Sequence, residues 1–126
     1  MAKSEFTNQA SGVYTPTCTS VANGAVVTGN PSCWSRNGNV ITVSTSVSVT
    51  PTAVAPTVTI IAVTFPIVCA KTPVVIGFAN QRIATTQTFS AVFENGTASV
   101  AYMIFTANDA TKTNLDWRGT FQYVLN

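Results

Sequence analysis

Side chains able to do acid–base or nucleophilic chemistry are few in this chain. Its 126 residues include four acids, six basic residues, three cysteines and no histidine. Without an imidazole there is no Ser-His-Asp or Cys-His relay and no histidine-containing metal site. The acids are Glu5, Glu94, Asp109 and Asp116, and no two of them share a local motif. Carboxylates from separate loops can pair, so Glu94 with Asp109 or Asp116 is a formal route to glycoside hydrolysis. No phosphate-binding glycine loop, dinucleotide fingerprint or EF-hand cluster occurs. Asn108, Asp109 and Asp116 could touch a calcium ion from one loop, but a solvated polar loop is the plainer reading. The expectation is a non-enzymatic protein with no cofactor and no metal.

Contact chemistry is better represented. Asn108, Asp109, Lys112, Asp116, Trp117 and Arg118 fall in the most polar stretch, where a loop is expected to lead into the last strand, and they form the candidate surface-contact loop. Trp117 is its candidate exposed aromatic, with packing beneath the loop as the alternative. Trp34, before a hairpin, reads as a core or interface residue, and Tyr14 as an anchor of the opening strand. Cys18, Cys33 and Cys69 make an odd set without C-x-x-C spacing, as expected of reduced thiols used as small apolar residues. A Cys18–Cys33 bridge between neighbouring strands is the alternative. Asn95-Gly96-Thr97 matches a glycosylation sequon but reads as hairpin-turn chemistry.

Charge excludes further classes. The net charge is +2, and Lys3, Arg36, Lys71, Arg82, Lys112 and Arg118 are scattered singly, so no cationic stripe meets a nucleic-acid backbone. The longest apolar run, Thr57 to Val68, is interrupted by Thr59, Thr64 and Pro66 and is too short to span a bilayer as a helix, so no membrane insertion is expected. Residues 1–11 read as a flexible tail or an added leader, and 12–126 as a single domain.

The elements that must position these residues are strands. Thr, Val and Ser are abundant and only 8% of residues are charged, which favours strands over surface helices. From Ile41 to Val49 the odd positions are Ile, Val, Thr, Val and Val and the even ones Thr or Ser, a strand with one apolar and one hydroxyl face. Asn37-Gly38 suits a tight turn into it, and Pro51 ends it. Thr57 to Phe65 and Ala98 to Thr106 carry apolar residues on both faces, so both should be covered on both sides. Val13 to Ser20, Ala25 to Thr28, Val74 to Ala79, Thr88 to Glu94 and Gly119 to Leu125 complete the set, with Asn95-Gly96 as a second hairpin turn. The class is all-β, an antiparallel sandwich or barrel of eight or nine short strands.

Several short motifs recur in an unusual order: Val13-Tyr14-Thr15-Pro16-Thr17, Asn23, Trp34-Ser35-Arg36-x-Gly38-Asn39-Val40-Ile41-Thr42-Val43-Ser44, Pro51-Thr52-Ala53 and Phe65-Pro66-Ile67. Over Gly12 to about Ile67 the chain resembles a module of tailed-phage virion proteins, found in tail fibres, tail spikes and related receptor-binding or decoration proteins. The resemblance implies a jelly-roll-like β-sandwich that assembles as a homotrimer. It further implies contacts with other virion proteins and binding to a host cell-surface glycan or protein, on a virion built in the host cytoplasm. It transfers no catalytic motif. A bacterial carbohydrate-binding or adhesin sandwich is the alternative.

Overall fold

The computed structural model describes residues 11–52, 57–81, 90–107 and 115–126. Their ten strands are β1 (Ser11–Tyr14), β2 (Cys18–Ala22), β3 (Gly24–Gly29), β4 (Ser32–Asn37), β5 (Val40–Pro51), β6 (Thr57–Thr64), β7 (Val75–Gln81), β8 (Ser90–Asn95), β9 (Val100–Ala107) and β10 (Leu115–Val124). No helix occurs among the described residues. The strands join in one antiparallel sheet, ordered β1-β4-β5-β10-β7-β8-β9-β6-β2, with β3 also paired to β5. The sheet curls around the core, which is enclosed mainly by odd-numbered side chains of β5 to β10 and even-numbered ones of β1 and β4.

The alternation read in β5 holds along its length. Ile41, Val43, Thr45, Val47 and Val49 are buried, while Thr42, Ser44, Ser46 and Ser48 face outward. β3 and β4 share one edge of β5, with Cys33 to Asn37 opposite Val40 to Ser44 and Gly24 to Gly29 opposite Val47 to Pro51. The chain changes partner at Asn30-Pro31. There the Asn30 amide donates to the Ser46 carbonyl at 3.0 Å, and Ser32 turns inward to the Thr45 hydroxyl at 3.0 Å. This pairing satisfies two hydroxyls that would otherwise be buried without partners.

Aromatic rings fill the interior. Phe65 stacks on Tyr123 with centroids 4.0 Å apart, Phe93 leans on Phe121 at 4.8 Å, and Phe105 on Trp117 at 4.4 Å. Gly77 lies opposite Phe121 on the inner face, where a Cβ would come within 2.5 Å of the Phe121 Cβ. Only a residue without a side chain leaves room for that ring. Tyr14 is the expected anchor, donating to the Thr64 carbonyl at 2.9 Å, and Trp34 is half-buried against the core.

Two local expectations are corrected, and one alternative drops out. The strand expected over Val13 to Ser20 is two strands, because Pro16 has no N–H to offer a ladder and Thr17 instead donates to the Thr64 hydroxyl at 2.9 Å. The tight hairpin expected at Asn37-Gly38 is present, with Gly38-Asn39 as its two turn residues, Asn37 paired to Val40 and Gly38 at φ 61°, but Asn95-Gly96 is not a tight turn. Asn95 ends β8, its side chain accepts from the Val75 amide at 2.7 Å, and Gly96 to Ser99 make a longer connection to β9. No disulfide forms, for all three cysteines are free, with Cys33 on the outer surface and Cys69 buried. Cys33 pairs across from Ser44, whereas Cys18 lies opposite Val63 on another part of the sheet.

Candidate functional site

Because cross-strand partners share a face of a sheet, the register fixes what the outer surface presents. One row runs Ser44, Thr120, Phe78, Val92, Ile104, Ile60 across β5, β10, β7, β8, β9 and β6. Its first two members are hydroxyls and the remaining four are apolar. The surface therefore has two territories, divided at Phe78.

On the polar side an open groove of about 1120 Å³ lies over β5 and β10. Ser44, Ser46, Ser48 and Thr120 supply hydroxyls, Asn30 and Asn80 amides, and Asp116 and Arg118 opposite charges. Asn30 is fixed in place, since its Nδ2 donates to Ser46 Oγ at 3.1 Å and to Ser48 Oγ at 3.0 Å. Ser48 Oγ in turn donates to Asp116 Oδ1 at 3.3 Å. Phe78 borders this groove with its ring 69% exposed.

On the other side the outer faces of β7, β8, β9 and β6 are left uncovered by the described residues. Ile76 is 66% exposed, Val58 49% and Val92 39%, and Ile60, Tyr102 and Ile104 are half-buried around them. The two strands expected to be apolar on both faces, β9 and β6, make up one side of this patch.

The candidate loop is redistributed. Asp116, Trp117 and Arg118 belong to β10 rather than to a loop, and strand alternation sends them to opposite faces. Asp116 and Arg118 line the groove. Trp117 is 1% exposed, packed on Phe105 inside the curl, so it is a core residue and not a surface aromatic. The exposed aromatic beside the groove is Phe78 instead. Asn108, Asp109 and Lys112 lie outside the described residues.

In comparisons with protein-family models, with curated proteins and with solved structures, nothing matches this chain.

The register also bears on acid–base chemistry. Val75 and Asn95 are joined by a hydrogen bond and Gly77 faces Phe93, which sets Glu94 level with Ile76 and its partner Gln122. Asp116 is six positions up β10 from Gln122, about 20 Å along the strand. Carboxylate pairs of glycosidases stand about 5–10 Å apart, so Glu94 and Asp116 do not make one. Among the described residues no three His, Cys, Asp or Glu side chains gather as metal ligands, and no helix is long and apolar enough to cross a membrane.

Asn30, Phe78 and Asn80 were not singled out by sequence reasoning. Asn30 reads as a loop residue in Gly29-Asn30-Pro31, and nothing local tells that it reaches across to β5. Phe78 had a usable signal, since it sits in phase with Ile76 on the face of β7 opposite Val75 and Ala79.

Proposed function

We propose that this protein is a non-enzymatic component of a tailed-phage virion, a spike, fibre head or decoration protein that works by self-association and surface attachment. Two supports of different kind meet in it. The ordered motifs from Gly12 to Ile67 resemble such modules, and the described residues leave apolar side chains uncovered on the outer face of β6, β7, β8 and β9. The second observation carries the reading. Ile76, Val58 and Val92 are exposed on that outer face, with Ile60, Tyr102 and Ile104 half-buried around them, and grouped apolar side chains on a surface are a common mark of protein–protein contacts.

A second copy of the same chain is the occupant this reading commits to. Glu94 stands within the patch, level with Ile76 and opposite Tyr102, and is its one charge among the described residues, so the patch offers a partner mainly burial rather than charge complementarity. A closed homotrimer, in which each copy covers the next, leaves no apolar surface open to unlimited growth. The jelly-roll-like sandwich form belongs to the same proposal, supported by a sheet that already folds its two ends around one core. The groove, on the far side of Phe78, stays open for attachment to a host surface or to other virion proteins.

Sedimentation velocity over a micromolar concentration series tests the self-association. Mass action predicts one assembled species that dissociates on dilution. A chain that sediments as a monomer throughout would refute it. The bacterial adhesin alternative needs no self-association, and a monomer with the same groove would favour it.

A further inference from the structure

We infer that the groove over β5 and β10 is a binding site for a neutral oligosaccharide. The inference rests on the attachment half of the proposed function and adds the chemical class of what is attached.

The groove's lining decides the class. An apolar ligand would have to strip water from hydroxyl and amide groups without replacing their hydrogen bonds, which costs more than the contact returns. A nucleic acid needs several phosphate-neutralising cations, whereas the described residues lining this groove include one, Arg118, with Asp116 two residues before it on the same face. Opposite charges in one groove leave little net preference for an ion. What remains is a ligand that is polar, uncharged and able to donate and accept along its length. A sugar chain presents that chemistry, since each ring carries several hydroxyls that match Ser, Thr, Asn and Arg partners.

Two further features fit a sugar in particular. A pyranose also has an apolar C–H face, and Phe78 offers a flat, exposed ring at the groove's border for it to stack on. Such a ring contributes contact area at little entropic cost. The polar groups are also held ready. Asn30 is tied to Ser46 and Ser48, and Ser48 to Asp116, so little ordering remains to oppose binding. The groove's volume of about 1120 Å³ exceeds what a single sugar fills, and its open form suits a run of residues along β5 and β10. Open, shallow sites bind weakly, so a dissociation constant on the order of 1 mM is expected.

The test is a titration of the isotope-labelled protein with maltotriose, cellotriose, mannotriose and chitotriose, followed by amide chemical shifts. At least one trisaccharide should shift the amides of Ser44, Ser46, Asn80, Arg118 and Thr120 together, with Val58 and Ile104 unmoved. Phe78→Ala and Arg118→Ala, both at exposed positions and expected to fold, should each weaken that binding about tenfold. Absence of shifts with all four sugars overturns the site, as does binding that both variants leave intact. The mass in solution is read on the same samples. Lost sugar binding with the assembly intact removes only the groove, and a monomer that still binds sugar removes only the self-association.

Discussion

Phe78 and Thr120 are direct cross-strand partners on β7 and β10, and the outer surface changes character between them. On the Thr120 side lie the hydroxyls of β5 and β10, and on the Phe78 side the apolar faces of β7, β8, β9 and β6. One curled sheet thus keeps a wet face and a dry face in register. In the proposed function, assembly and attachment use these two different surfaces.

Closure of the curl depends on a few long-range bonds, of which Tyr14 Oη to the Thr64 carbonyl spans 50 residues. Tyr14→Phe keeps the ring's packing and removes the donor. A loss of about 1 kcal/mol is expected, read as a lower urea midpoint with an unchanged slope. An unchanged midpoint would show that β1 contributes nothing to holding β6.

Gly77 is required by the ring opposite it. Gly77→Ala puts a methyl against the Phe121 backbone and Cβ, and overpacking of this kind costs about 2 kcal/mol. Thr120→Ala on the outer face should stay within about 0.5 kcal/mol. Thermal melts of the two variants check the difference, and equal melting temperatures would contradict the placement of Gly77 on the inner face.

The three thiols should separate by reactivity. Cys33 is exposed and Cys69 buried, while burial pushes the half-buried Cys18 up to about 12. The thiolate is the nucleophile, so Cys33 should react quickly with a chromogenic disulfide at neutral pH, and Cys18 and Cys69 only on unfolding. Three fast thiols in the native protein would refute this burial.

Alkaline pH should weaken the fold. Cys18 moves up from an ordinary 9.0 to about 12, and burial also raises Tyr14 and Tyr123 above their ordinary 10.0. Above about pH 9 the unfolded chain then releases protons that the folded chain retains, so stability falls as pH rises and these groups contribute no slope below that point. Urea midpoints at about pH 8 and about pH 11 should differ in that direction, and Cys18→Ala should reduce the difference. A midpoint that rises with pH would reverse the sign.

How much the sequence disclosed depends on the range of the interaction. The alternation of β5 is a property of neighbouring residues, so its buried and hydroxyl faces were legible directly. The double-faced apolar pattern of β6 and β9 was also legible, and its outer side is surface that the described residues leave partly open. Pairing over distance was not. That Asn30 would bridge Ser46 and Ser48, or that Trp117 would turn inward while Asp116 and Arg118 turned to the groove, follows from where β10 begins. That start was expected at Gly119 and lies at Leu115, because the polar residues of 115–118 alternate with inward ones and so read as loop when taken by composition.

Light scattering on the eluting protein tests the central claim most directly, with wild type compared to an Ile76→Asp, Val92→Asp double variant. Both positions are outward and exposed, so the variant keeps its core. Wild type at micromolar concentration should weigh three times the 13.2 kDa chain and the variant one chain, with the same strand content by circular dichroism. A wild-type mass of a single chain would contradict the account, as would a trimer that two buried aspartates leave undisturbed.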